Sequence, residues 1–89
     1  MFLELKNANY LGNFRVKVTF NTDEEKIVDF CEYLKHEKRK IIEPLKDEAV
    51  FKTLFVHNEF KTLSWDNGID LAPEFVYELC SDLCAHQNV

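Results

Sequence analysis

Residues 14–20 alternate without a break: Phe14, Val16, Val18 and Phe20 fall on one side, and Arg15, Lys17 and Thr19 on the other. A period of two over this stretch predicts a strand with one wet face and one face that must be covered. The cover stands near the other end of the chain. Phe75, Val76, Leu79, Cys80, Leu83 and Cys84 recur at helical spacing, with Glu74, Glu78, Ser81 and Asp82 on the polar side. Pro73 opens this segment, where its missing N–H costs nothing, and Glu74 complements the positive end of the helix dipole. A one-faced strand and a one-striped helix bury their apolar surfaces against each other, so the pattern predicts an α+β fold.

Shorter signals fill the middle. Residues 1–13 are ambiguous, because Asn7, Asn9, Gly12 and Asn13 interrupt a start made by Phe2, Leu3 and Leu5. Asn21 to Glu24 form a polar turn, and Lys26 to Phe30 fit a returning strand. A helix from Thr22 or Asp23 competes, since Ile27, Phe30, Cys31 and Leu34 also have helical spacing. Tyr33 and Leu34 are expected over one end of the core, followed by a polar loop or frayed helix end at residues 35–40. Asp47 is a suitable N-cap for one or two helical turns reaching Phe51. Leu54 to His57 and Lys61 to Trp65 fit strands on either side of a turn at Asn58-Glu59. Asn67-Gly68 is a strong hairpin signal before a short strand at Ile69 to Leu71. The expectation is an antiparallel meander of about five short strands, a helical turn near 47–52, and one closing helix on one face.

Size and charge narrow the function classes. A chain of 89 residues buries roughly 60–65% of its unfolded surface. Its 12 aromatics give it the large side chains a small core needs. A single domain spanning residues 1–89 is expected. The formal net charge is −5, unevenly spread: residues 1–40 carry a net +1 and residues 41–89 a net −6. The acidic half repels phosphate and favours basic partners, so nucleic acid is not expected as the main partner. No apolar run is long enough to span a membrane, and the N-terminus lacks the pattern of a secretory signal. A cytoplasmic location is therefore expected, with the three cysteines as reduced thiols.

Three groups of residues invite a functional reading. Trp65, Asp66, Asn67, Gly68 and Asp70 read structurally as a tight hairpin with a buried indole, and functionally as a partner-binding lip with Trp65 as its anchor. Lys35, Lys38, Arg39 and Lys40, with His36, read as a solvated loop or as a contact for phosphate or an acidic surface. Cys80, Cys84 and His86 lack the spacing of a zinc knuckle, and the two cysteines lie on the apolar stripe, where a thiol packs as a small hydrophobe. No catalytic, cofactor or metal-ligating residues are expected. The many carboxylate pairs read as a solvated acidic face.

The segments Glu43-Pro44-Leu45-Lys46-Asp47, Phe51, and Trp65-Asp66-Asn67-Gly68-Ile69-Asp70-Leu71-Ala72-Pro73-Glu74 with Tyr77 resemble the prokaryotic domain of unknown function numbered 2442. The resemblance spans roughly residues 10–80 and decides for a strand at 26–30. The family often has proline where Glu48 and Asp66 stand here, and residues 35–42 look longer and more basic than usual. The resemblance implies no enzyme activity, and gene pairs of toxin–antitoxin type. Some family members carry an added helix-turn-helix. The sequence ends soon after the closing helix, so operator recognition by that route is not expected. The functional expectation is a protein-interaction or regulatory module that binds another small protein, antitoxin-like, by strand addition or an apolar patch. A homodimer through free strand edges is compatible with this. The alternatives are a nucleic-acid accessory or transcription-regulatory protein using residues 35–40, and a small-molecule or enzymatic site near the Trp65 hairpin.

Overall fold

The alternating segment is the middle strand of a three-stranded antiparallel sheet. A computed structural model describes residues 2–87, with side chains placed as far as residue 80. The strands are β1 (Leu5–Gly12), β2 (Arg15–Phe20) and β3 (Glu25–Asp29), in the spatial order β1-β2-β3. Val16 pairs with Tyr10 on one side and Val28 on the other. Val16, Val18, Phe20 and Val28 are fully buried, while Ile27 on the opposite face is exposed. The returning segment is thus a strand, shifted one residue earlier than expected.

Two departures have clear causes. The ambiguous N-terminal segment is a full strand: its asparagines Asn7 and Asn9 are exposed, whereas Ala8 and Tyr10 are half-buried. A register shift between Leu5 and Asn7 moves the inward phase from odd to even positions, which hid the alternation. Phe14 does not begin β2. It is the second residue of a two-residue turn in which Asn13 and Phe14 have φ of 55° and 62°. Asparagine tolerates that backbone region, whereas a bulky residue there is strained. The ring of Phe14 still turns inward and meets Phe51 edge-on at 5.1 Å.

A helical stretch follows. Helix α1 (Cys31–His36) starts where the Asp29 carboxylate accepts the Cys31 N–H at 2.9 Å. It buries Leu34 and ends before residues 37–40, so the expected polar loop begins within the basic run. A 3-10 turn at Glu43–Lys46 precedes α2 (Glu48–Phe51). Asp47 caps α2 as expected, its carboxylate accepting the Ala49 N–H at 3.0 Å. This short helix exists to deliver one residue. Phe51 is fully buried, with the rings of Tyr10, Phe14, Phe30 and Trp65 within 5.8 Å of its own.

A second antiparallel sheet contains β4 (Phe55–Val56), β5 (Leu63–Ser64) and β6 (Asp70–Leu71). Among the described residues the strands therefore number six in two sheets, not about five in one meander. The helical stretch at residues 31–51 separates them in sequence. The N-terminal segment ties them together: the Leu5 N–H donates to Lys61 O, and the Asn21 N–H donates to Glu4 O. His57 is used locally, its Nδ1 accepting the N–H groups of Glu59 and Phe60.

The closing helix α3 (Pro73–Gln87) packs along β3. Val76 and Cys80 are buried and Phe75 and Leu79 half-buried, with Glu74 and Glu78 exposed, as the periodicity predicts. The side chains of Leu83, Cys84 and His86, and with them the weighed zinc set, lie outside the described residues. Tyr77 belongs to the packed face although the predicted stripe omits it. Its ring meets Phe20 edge-on at 5.3 Å and lies 5.6 Å below the Lys26 ammonium. No helix among the described residues is long and apolar enough to cross a membrane.

Candidate functional site

The hairpin after β5 is built from backbone hydrogen bonds and one glycine. The Trp65 N–H donates to Ile69 O at 2.9 Å, and the Gly68 N–H to Trp65 O at 3.1 Å. Only Gly68 has a positive φ, +90°. The loop therefore has three residues, Asp66 to Gly68, as the expected strand ends at Trp65 and Ile69 require, but Asn67 does not share the positive φ that an Asn-Gly turn permits. A turn closed by one left-handed residue needs glycine only at its last position. Asn67 serves with its side chain instead, its Oδ1 accepting the Ile69 N–H.

The Trp65 indole is 2% exposed and donates its N–H to the Phe51 carbonyl at 2.9 Å. The packed alternative is thus the one realised for Trp65. The segment around Pro44 and Asp47 and the hairpin around Trp65 meet at this bond, so two separated sequence signatures form one packing unit. Asp66, Asn67, Gly68 and Asp70 are exposed on the lip. A carboxylate pair for acid–base chemistry needs unlike, partly buried surroundings, whereas both aspartates here lie in water.

Beside the lip is an open groove of about 370 Å³. Pro44, Ala49, Val50 and Trp65 make its apolar wall, and Thr53, Asp66 and Asn67 complete its lining. Of these, sequence reasoning singled out only Trp65, Asp66 and Asn67. Ala49, Val50 and Thr53 follow no apolar period. The one signal that could have found them is the position of Pro44 and the Asp47 cap, which sets the 3-10 turn and α2 opposite the hairpin.

The basic run is placed elsewhere and is partly neutralised by its own neighbours. The Arg39 guanidinium donates to Glu37 through Nε at 3.0 Å and Nη2 at 2.9 Å. That fork, with the Arg39 backbone N–H, holds the Glu37 carboxyl down at about 2. Lys35 and His36 both approach Glu32, at 3.8 and 3.3 Å. Lys38 and Lys40 are exposed and make no ion pair among the described residues. Lys35 and Lys46 line a different groove, with Phe14, Cys31 and Leu34. Trp65 to Asp70 thus sit together on one hairpin, whereas of the basic run Lys35 lines the other groove and Lys38, Arg39 and Lys40 do not.

A family model described as a protein of unknown function, DUF2442, matches residues 5–82. No curated protein matches the chain. Among solved structures, a Nitrosomonas europaea protein described as a putative DNA-binding protein superposes with a TM-score of 0.79 at 21% identity. The match covers 96% of this chain and 53% of that one, so the chain spans about half the length of that protein. Identity at this level shows a shared fold.

Proposed function

The chain belongs to the DUF2442 family of proteins of unknown function, and from that premise we propose that it is a non-enzymatic module that binds another small protein. The observation that carries the reading is the apolar groove beside an acidic lip. A protein of this size spends its large side chains on cohesion, and an open apolar cleft rimmed by polar groups is a docking feature. The partner that fits presents an apolar side chain to Pro44, Ala49 and Val50, with a lysine or arginine nearby for Asp66. The net −6 of residues 41–89 favours such a basic partner and speeds its approach. An antitoxin-like role in a gene pair agrees with this chemistry.

The test is a titration of the purified chain with the product of the gene beside its own. Ala49 and Asp66 are both exposed, so Ala49→Arg and Asp66→Lys leave the fold intact. Association that weakens about tenfold or more in either variant supports the reading. Absence of association, or association indifferent to both variants, overturns it.

A second reading, a nucleic-acid accessory through residues 35–40, is favoured by the description of the Nitrosomonas protein. Because Arg39 is tied to Glu37, Lys38 and Lys40 would carry the contact. Duplex binding that falls with salt and is lost when Lys38 and Lys40 become alanine supports it. Binding that is absent or unchanged removes it.

A further inference from the structure

The groove beside Trp65 suits an apolar side chain with a cation next to it, and the chain carries that pair itself. Ile41 is 65% exposed and follows the exposed Lys40. Given that the groove is a docking surface, on which the reading above also rests, we propose that two copies of the chain form a reciprocal dimer. Ile41 of each copy enters the groove of the other, and Lys40 meets Asp66 across the contact.

The shape of the knob is the first support. Ile41 sits in two overlapping turns: the Ile42 N–H donates to Arg39 O at 3.1 Å, and the Glu43 N–H to Lys40 O at 3.2 Å. Arg39 is fixed in its turn by the fork onto Glu37. Turns favour glycine, proline and small polar residues for backbone reasons, and isoleucine offers none of those. A tip already held by hydrogen bonds loses little freedom on docking. Other exposed apolar side chains fit the groove less well. Phe60 is stacked on the His57 ring at 4.8 Å, and Lys26 beside Ile27 is engaged by Glu24 and by the ring of Tyr77.

Charge and position are the second support. Lys40 makes no ion pair among the described residues, and neither does Asp66, so each can pair across a contact. Pro44, which walls the groove, follows Ile41 by three residues, at most about 10 Å of extended chain. Knob and groove are therefore neighbours, as a self-complementary two-fold contact requires. One side chain in each direction makes a small contact, so the dimer dissociates at low micromolar concentration.

Sedimentation velocity of the full chain from about 10 µM to 1 mM reads this contact. The parent is expected to pass from monomer to dimer over that range. Ile41→Asp removes the knob and Ala49→Arg fills the groove. Both positions are exposed, and each change should weaken the dimer about tenfold or more. Mixed together, the two variants should associate again: the intact knob of one finds the intact groove of the other, and the two introduced charges are opposite and face each other. A parent that stays monomeric to about 1 mM overturns the dimer, and if the neighbouring gene's product still binds at the groove the earlier reading stands. A dimer indifferent to both variants, or a mixture no more associated than either variant alone, also overturns it. Self-association that follows the expected pattern, with no binding of that product, supports the dimer and removes only the earlier reading.

Discussion

Phe51→Ala should be among the most damaging substitutions in the chain. The side chain is fully buried, and four aromatic rings lie within 5.8 Å of it. Removing a buried phenylalanine ring costs about 3–5 kcal/mol through lost transfer energy and the cavity left behind. Those neighbours pack from different elements, β1, the β1–β2 turn, the end of β3 and the hairpin, so they cannot collapse together into the space. The cost should lie in the upper half of that range. A chain of 89 residues has about 4–13 kcal/mol of stability in total. Equilibrium urea unfolding is the assay, with an m-value on the order of 1–1.5 kcal/mol/M, so the midpoint should fall by about 3–5 M or the variant should be unfolded without denaturant. Phe2→Ala is the control, since Phe2 is 87% exposed and its loss should stay within about 0.5 kcal/mol. A Phe51→Ala loss below about 1 kcal/mol would refute the reasoning.

Asp47→Ala removes the cap on α2 and should cost about 0.5–2 kcal/mol in the same urea assay, because the Ala49 N–H loses its acceptor. Gly68→Ala should cost about 1–2 kcal/mol although its new methyl meets nothing within 4 Å, since the penalty lies in the φ of +90°; a neutral result would mean the loop adopts another turn. Glu37 should titrate near 2 by NMR, and Arg39→Gln should return it toward the ordinary glutamate range. Because its folded value is depressed, its contribution to stability is present above about pH 4.5 and is lost as pH falls toward 2. The parent, and not the Arg39→Gln variant, should show that part of the acid destabilisation.

Much of the fold is legible in the residues because each clear signal has a single physical cause. The alternation at 16–20 and the stripe from Phe75 to Cys80 survive intact, since a face either is or is not buried. The first strand was obscured by a bulge at Leu5 to Asn7 that reverses the inward phase, and periodicity has no means of seeing a bulge. Asn67-Gly68 announced the hairpin but not the role of Asn67, because an asparagine can supply either a positive φ or a side-chain acceptor, and here it supplies the acceptor. The groove is the least legible part. Pro44, Ala49, Val50 and Thr53 come together with Trp65 where its indole packs on and bonds to Phe51, a contact 14 residues apart that no local pattern encodes. The basic run was visible as charge, but its neutralisation was not, since the Arg39–Glu37 fork depends on how the chain leaves α1.

Hydrogen exchange of the chain alone and in complex with the neighbouring gene's product tests the interaction reading most directly. Protection confined to residues 48–53 and 65–68, with residues 37–40 exchanging as before, is the expected footprint. Protection centred on residues 37–40, with the groove segments unchanged, would contradict it.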